Sequence, residues 1–158
     1  MSEASTVLRP NIGDFASIRC TKAIVVGVEG ALGERAAHVA LIAAGRARGR
    51  QIAEEAFGRT DVPLSETPPL LNQAIGGAGT RLCTVDKVEE DGETIRIFLS
   101  ETLCSAGEAP GSARKLTFTL GAIQGAFEVL TGRALKGRQT ESVLRGGTHD
   151  VIELNNRI

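Results

Sequence analysis

The pattern of apolar and polar residues is clearest between residues 80 and 101, where two alternating runs flank Asp91-Gly92. Alternation places successive side chains on opposite faces of a strand, and Asp-Gly is typical of the tight turn between two paired strands. The sequence therefore predicts a β-hairpin in this region. One face of its second strand carries three aliphatic residues, Ile95, Ile97 and Leu99.

Three other segments predict strands. Residues 18–28 are apolar and rich in β-branched side chains, which favour an extended backbone. Residues 134–143 and 150–154 form two further runs, joined by a turn around Gly146-Gly147. Because the strands are connected by hairpins and not by long crossovers, we expect an antiparallel sheet.

Apolar residues at helical spacing predict three helices, over residues 32–57, 69–75 and 116–131. One stripe along the first helix carries Leu41, Gly45, Gly49, Ile52 and Ala56. The apolar face of the third carries Leu120, Ile123, Phe127 and Leu130. A glycine inside a helix costs about 1 kcal/mol relative to alanine. Gly45 and Gly49 therefore indicate that another helix or a ligand comes close to the first helix.

Together these elements predict one α+β domain over residues 1–158, in which an antiparallel sheet is accompanied by a long N-terminal helix and a second core helix. A chain of 158 residues has the length of one ordinary domain. Residues 1–13 mix polar residues with a proline, and we expect them to form a mobile or loosely docked arm.

The charge balance narrows the classes of partner. The formal net charge is -1, from 18 basic and 19 acidic residues, which argues against electrostatic binding to nucleic acid or to anionic lipid. No apolar run approaches the roughly 20 residues of a membrane-spanning helix, and no secretory signal is apparent. We therefore expect a cytoplasmic protein with no membrane span.

The three cysteines, Cys20, Cys83 and Cys104, are odd in number and widely spaced. This spacing is not that of a disulfide framework or of a zinc knuckle. Unpaired cysteines are most often small buried apolar residues, and we expect that role for each of the three.

One motif suggests nucleotide chemistry. Gly27, Gly30 and Gly33 form G-x-x-G-x-x-G between a predicted strand and a predicted helix, which looks like the nucleotide-binding start of a short-chain reductase. That fold needs a second parallel strand soon after the helix, whereas here the helical pattern continues. The chain also has no Tyr for tyrosine-dependent reductase chemistry. We predict no catalytic residues.

The C-terminal third carries a family resemblance. The stretch TLGAIQGAFEVLTGRALKGRQTESVLRGGTHDVIEL, from Thr119, resembles the end of the 4-vinyl-reductase-like domain, a hydrocarbon-binding family. Ala44–Arg50, with the sequence AGRARGR, resembles the glycine- and arginine-marked helix near the N-terminus of that family. The resemblance implies a ligand-binding fold related to TRAPP vesicle-tethering subunits and to haem-nitric-oxide-binding domains.

Some members of this family hold zinc. The resemblance places Cys104 at the first ligand position, but Gln139, Ser142 and Asp150 stand at the others. One thiolate and one carboxylate are too few for a closed zinc site, because zinc prefers thiolate and imidazole ligands. We therefore expect no zinc and no other metal.

The resulting hypothesis is a non-catalytic module that binds a small hydrophobic or tetrapyrrole-like ligand, such as a lipid or a tetrapyrrole, without a resident cofactor. We predict that the ligand contacts eight residues, which could otherwise simply form the core: Leu41, Gly45, Gly49, Ile52, Ile97, Leu99, Ile123 and Phe127. One alternative is an accessory factor in photosystem or pigment-protein assembly that acts through a protein partner. Another is a small oxidoreductase, either vinyl reductase-like or nucleotide-dependent. The resemblance is compatible with a homodimer.

Overall fold

The computed structural model describes residues 9–58 and 60–158, which form four α-helices and four β-strands in an α+β fold. Residues 1–8 of the predicted N-terminal arm lie outside this range, and residues 9–13 form a turn closed by the Gly13 amide on the Arg9 carbonyl (3.0 Å). In chain order the elements are α1 (Ile18–Leu32), α2 (Glu34–Ala56), α3 (Thr67–Ile75), β1 (Thr84–Asp91), β2 (Thr94–Ser100), α4 (Phe118–Thr131), β3 (Leu135–Glu141) and β4 (Asp150–Asn156).

The four strands form one sheet in the order β1-β2-β4-β3, and each neighbouring pair is antiparallel. The predicted hairpin is confirmed: Asp91 pairs with Thr94, and Gly92 adopts a φ of 61° at the turn, where a glycine is favoured. The two predicted C-terminal strands are confirmed as β3 and β4. The antiparallel α+β fold expected from the sequence is therefore the observed one.

The strand predicted over residues 18–28 is wrong, because this segment belongs to helix α1. The Ser17 hydroxyl caps the helix by accepting a hydrogen bond from the Arg19 amide (3.2 Å). The least exposed apolar positions, Val25 and Val28, are spaced as on one side of a helix and not as in a strand. Packing of this side decided the structure over the β propensity of the single residues.

This correction also affects the glycine motif. Gly27 and Gly30 lie within α1, and Gly33 is the break between α1 and α2, with a φ of 78°. A dinucleotide-binding turn joins a strand to a helix. Here the glycines lie in a helix and at a helix–helix junction, so the motif lacks the context that the nucleotide-dependent interpretation requires.

The helix also explains the exposure of the first cysteine. Cys20 is exposed because it lies on the side of α1 that faces away from the rest of the fold. The expectation of burial is wrong for Cys20 and confirmed for Cys83 and Cys104.

Helix α4 is the centre of the core. Every residue from Thr119 to Leu130 is buried, since α2 packs on one side of the helix and the sheet covers another. The aliphatic face of β2 is fully buried in the same cluster: Ile95, Ile97 and Leu99. None of the helices in residues 9–58 and 60–158 combines the length and the apolar character needed to cross a membrane.

The backbones of α2 and α4 touch directly. A Cβ added at Gly45 or Gly49 would lie within 3.0 Å of backbone oxygens of α4, and one added at Gly121 or Gly125 would lie equally close to backbone oxygens of α2. Small residues four apart on both helices permit this approach, because each glycine accommodates the facing chain. The two glycines that the sequence marks on the first long helix thus serve helix packing.

A buried acid, Glu128, forms ion pairs on the same interface. The Glu128 side chain of α4 is 1% exposed and accepts hydrogen bonds from Arg46 Nε (2.8 Å), Arg50 Nη1 (3.3 Å) and the Leu135 amide (3.0 Å). Burial acts to raise the pKa of Glu128, but these hydrogen bonds and the arginine charges outweigh it and hold the pKa below its ordinary value of 4.5. Two of the three arginines of AGRARGR, Arg46 and Arg50, therefore compensate the one buried acid of α4.

Substitution of Gly49 by Ala should destabilise the fold by about 3 kcal/mol, because the added methyl group overlaps the Ala122 backbone. The free energy of unfolding in urea measures this. Gly27→Ala is the matched control, since nothing lies within 4 Å of a Cβ there, and it should be neutral or stabilise α1. Equal urea midpoints for Gly49→Ala and the wild type would contradict the direct contact.

Substitution of Glu128 by Gln should cost about 2 kcal/mol at pH 7, because two partly exposed arginines lose their charged hydrogen-bond partner. A carboxyl whose pKa is lowered by folding stabilises the fold above its unfolded pKa, and this contribution is lost as the pH falls through the lower folded pKa. The difference between wild type and variant should therefore shrink below about pH 4.5. Glu54→Gln, at an exposed partner of Arg50, is the control and should cost under about 0.5 kcal/mol. A pH-independent difference would contradict this account.

Candidate functional site

An open cavity of about 1090 Å³ lies outside the core, at the N-terminal end of α1. Its walls are residues 15–21, the C-terminal half of α2, the loop before β1, the loop after β2 and the first residue of α4. Three buried aliphatic residues form its inner wall: Ile52, Leu82 and Leu103. Apolar side chains closer to solvent complete the lining: Phe15, Ile18, Phe118 and Val143.

Two loops shape the rim, and each contains a residue in an unusual backbone conformation. Arg81 and Glu101 have φ values of 58° and 50°, which cost non-glycine residues on the order of 1 kcal/mol each. The loops are tied together by a hydrogen bond from the Leu103 amide to the Leu82 carbonyl (3.0 Å). Both strained residues line the cavity, so tertiary contacts hold this backbone in place where it borders the cavity.

The inner wall contains one fully buried polar side chain, that of Thr102, which is 1% exposed. Its hydroxyl donates to Oδ2 of Asp150 (2.6 Å), and the hydroxyl of the neighbouring lining residue Ser105 donates to the same oxygen (2.8 Å). The other oxygen of Asp150, Oδ1, accepts a hydrogen bond from the Val143 amide (3.0 Å). The buried carboxylate of Asp150 thus connects Thr102 and Ser105 to Val143 through hydrogen bonds.

The charged residues among those that line the cavity lie near its opening to solvent. The Arg81 guanidinium stands 6.0 Å from the centre of the Phe15 ring, and Arg48 donates to Oε1 of Gln51 (2.9 Å). Glu101 is the acidic residue of the rim. The cavity is therefore apolar inside, with hydroxyl groups on one wall and mixed charges where it opens to solvent.

Helix α1 is held over this region by four charged side chains, Lys22, Glu29, Glu108 and Arg114, which we call the α1 clamp. Lys22 pairs with Glu108 (3.0 Å) and also donates to the Ala106 carbonyl (3.0 Å). Arg114 bonds both Glu108 and Glu29. The hydrogen bond from Lys22 and the weaker effect of Arg114 outweigh burial and leave the pKa of Glu108 below its ordinary value.

The structure places the eight predicted ligand-contacting residues mostly in the core. Ile52 lines the cavity. The other seven are buried in the α2–α4 interface, on the inner face of the sheet or along α4: Leu41, Gly45, Gly49, Ile97, Leu99, Ile123 and Phe127. Contact of these seven with a ligand stays a prediction.

Sequence reasoning missed the cavity because it assigned residues 18–28 to a strand. The signal that identifies the helix is Ser17, a typical N-cap, followed by apolar residues at helical spacing. No sequence signal marked the hydroxyls of Thr102 and Ser105, since these residues meet Asp150 only through the tertiary fold.

The four residues at the family's zinc positions have separate partners. Cys104 Sγ lies 3.5 Å from Thr119 Oγ1, Gln139 accepts a hydrogen bond from the Leu116 amide (2.8 Å), and Ser142 caps a short helical turn. Asp150 accepts a hydrogen bond from the Thr102 hydroxyl. In residues 9–58 and 60–158, no three His, Cys, Asp or Glu side chains lie together as metal ligands would.

Cys83 lies next to the lining residue Leu82 but has the properties of a structural thiol. Burial raises its pKa to about 12, and nearby Cys104, Asp86 and Asp150 act in the same direction. A thiol becomes a nucleophile or a metal ligand as the thiolate. At neutral pH Cys83 therefore remains protonated and unreactive.

No protein-family model matches this sequence, and no curated protein matches it. Membership of the 4-vinyl-reductase-like family therefore stays a prediction. The fold is nevertheless similar to that of known structures.

The phenol-responsive sensory domain of the transcription activator PoxR, solved with phenol, matches with a TM-score of 0.66 at 18% identity, over 91% of this chain and 76% of that one. A trafficking protein particle complex subunit 3 from Naegleria fowleri, covalently bound to palmitic acid, matches with a TM-score of 0.53 at 13% identity, over 90% and 98%. At these identities the likeness establishes a shared TRAPP-like fold.

Substitution of Glu108 by Gln should loosen α1, because Lys22 and Arg114 lose their shared carboxylate. We expect amide hydrogen exchange in residues 18–32 to become several-fold faster, while α4 stays protected. Glu34→Gln is the matched control, since Glu34 is 82% exposed and pairs with Lys115 outside the clamp. Unchanged exchange in α1 of the Glu108 variant would show that apolar packing alone holds the helix.

Proposed function

We propose that this protein is a non-catalytic binding module for a small hydrophobic ligand, which occupies the cavity beside α1. The observation that carries the proposal is the cavity itself, about 1090 Å³ with a buried aliphatic inner wall and a lining surface that is mostly apolar. Ligand sites are typically mostly apolar concave spaces of roughly 300–1,000 Å³ that contain a few placed polar groups. This cavity is at the upper end of that range.

Two comparisons support the proposal. The PoxR sensory domain was solved with phenol and the Naegleria fowleri subunit with palmitic acid, so two structures with this fold carry apolar molecules of different size. A fold alone does not determine a function, and here the argument rests on the cavity of this chain. Its size suits ligands larger than phenol, and a tetrapyrrole is one outcome that the experiment below would identify.

The arrangement of reactive groups favours binding over catalysis. The thiol of Cys83, next to the lining residue Leu82, is protonated at neutral pH, and the described residues that line the cavity include no His, Lys or Cys. The hydroxyls of Thr102 and Ser105 donate to the Asp150 carboxylate. These groups are arranged to orient a ligand.

Native mass spectrometry of the freshly purified protein, with an absorbance spectrum of the same sample, tests the proposal. We expect an additional mass of a few hundred daltons that is lost on denaturation. Visible absorbance would identify a tetrapyrrole, and a colourless ligand would be a lipid or another small apolar molecule. If no ligand co-purifies, titration with the fluorescent probe N-phenyl-1-naphthylamine follows. A protein that neither carries a ligand nor binds this probe contradicts the proposal.

Two variants locate the binding site in the same assay. Ala106→Trp fills the cavity from a half-buried position, and Val143→Trp fills it from the rim, where the side chain is 39% exposed and a larger group is tolerated. Both should weaken probe binding at least about tenfold, by displacing most of the apolar contact. Ala40→Trp, on the exposed side of α2, is the control and should bind as the wild type does.

A further inference from the structure

We propose that the cavity selects ligands that carry a hydrogen-bond donor, an O–H or N–H group on an apolar body, and that Ser105 is the acceptor. Asp150 is the positioning residue that makes an acceptor of Ser105, and the buried Thr102 donates to the same carboxylate. The inference rests on the proposed function, because it assigns the polar specificity of the same cavity.

The first step of the argument is the direction of two hydrogen bonds. A carboxylate has lone pairs and no proton, so the Thr102 and Ser105 hydroxyls must donate to Oδ2 of Asp150, at 2.6 and 2.8 Å. A hydroxyl has one proton. Once that proton is donated, each oxygen offers only lone pairs to any other partner.

The second step is to count the lone pairs that are still available. Thr102 Oγ1 accepts the Ser105 amide (3.3 Å), which leaves one lone pair. Within residues 9–58 and 60–158, the hydrogen bond to Asp150 is the one that engages Ser105 Oγ, so both of its lone pairs are free. Because Ser105 lines the cavity and is half-buried, whereas Thr102 is 1% exposed, this wall offers Ser105 Oγ as an acceptor and offers no hydroxyl donor.

The third step is the surrounding of this wall. Ser105 is half-buried and lies close in the chain to the buried Leu103, so a bound ligand replaces the water near its hydroxyl. An ether or a hydrocarbon would cover the lone pairs without a hydrogen bond, and a carboxylate would bring further lone pairs toward them. A donor group satisfies them.

The rim differs from the inner wall because it carries charged side chains. Arg48 and Arg81 line the cavity where it opens, and guanidinium groups only donate. With Glu101 on the same rim the charges there are mixed, so the rim suits a polar or charged group, and a neutral hydroxyl or amine suits the inner wall. This gives a ligand in the cavity a defined orientation.

The test compares three matched probes by isothermal titration calorimetry: 1-naphthol, 1-naphthylamine and 1-methoxynaphthalene. These molecules share the ring system, and only the first two carry a donor. We expect both to bind about tenfold more tightly than the methyl ether, as one unmade buried hydrogen bond predicts. Equal affinities for all three would overturn the inference and leave the proposed function intact. Failure of all three to bind to a protein that carries a ligand or binds N-phenyl-1-naphthylamine would overturn the inference alone.

Asp150→Asn tests the positioning role. The Val143 amide needs an acceptor and keeps the new amide oxygen at the position of Oδ1, so the NH₂ group faces Thr102 and Ser105. These hydroxyls then accept from the amide, and the proton of the Ser105 hydroxyl turns toward the cavity. We expect the tenfold preference for 1-naphthol over its methyl ether to fall to about onefold or to reverse.

The ratio of the affinities for 1-naphthol and its methyl ether separates this role from a structural one, because a damaged cavity would weaken both probes equally. A ratio that stays at about tenfold in Asp150→Asn would overturn the role of Asp150. Asp86→Asn is the matched control, since Asp86 lies 3.6 Å from His149 and outside the cavity lining, and its ratio should equal that of the wild type. If Asp150→Asn does not fold, Ser105→Ala gives the same test, because it removes the acceptor with two free lone pairs. A wild-type ratio in Ser105→Ala would overturn the inference.

Discussion

The contact between the backbones of α2 and α4 is the constraint on which the rest of this structure depends. Gly45 and Gly49 face Gly121 and Gly125, and none of the four positions has space for a methyl group. Close approach buries α4 on all sides from Thr119 to Leu130. It also brings the arginines of α2 within reach of Glu128, so that an acid in the interior has two partners. Packing and charge compensation therefore require the same helix separation.

A core packed in this way determines where a ligand can lie. The inner face of β2 and the residues of α4 from Thr119 to Leu130 are buried, and interiors of proteins are packed at the density of organic crystals. Space remains beyond the core, where α1 and two loops meet the end of α2. The cavity is thus bordered by the parts of the fold that are least constrained by the α2–α4 contact, and its loops contain two non-glycine residues with positive φ.

The attachment of α1 reflects the same contrast between the packed core and the region around the cavity. Val25 is the buried residue of α1, and much of the remaining attachment is the α1 clamp of Lys22, Glu29, Glu108 and Arg114. Partly exposed ion pairs stabilise a structure less than buried apolar contacts do. The wall that α1 gives to the cavity is therefore held less firmly than the wall given by α2. Because local opening concerns weakly packed elements, α1 is the wall of the cavity that we expect to move most easily.

The sequence by itself determined the elements whose pattern is periodic and locally encoded. Alternation on β2, the Asp91-Gly92 turn and the apolar faces of α2 and α4 were sufficient to predict the hairpin, two core helices and an antiparallel α+β fold. These features depend on residues a few positions apart. Residues 18–28 were misassigned because a β-branched run suits either structure, and the burial that selects the helix comes from distant segments.

Only the tertiary structure decided what the marked residues do. Gly45, Gly49 and the arginines beside them became a helix interface because the partners, Gly121 and Glu128, lie more than 70 residues away along the chain. Asp150 meets Thr102 and Ser105 across the fold in the same way. The predicted ligand contacts were chosen for apolar character at regular spacing, and that property equally describes a core. A cavity arises where elements fail to close on one another, and no spacing within one element records such a gap.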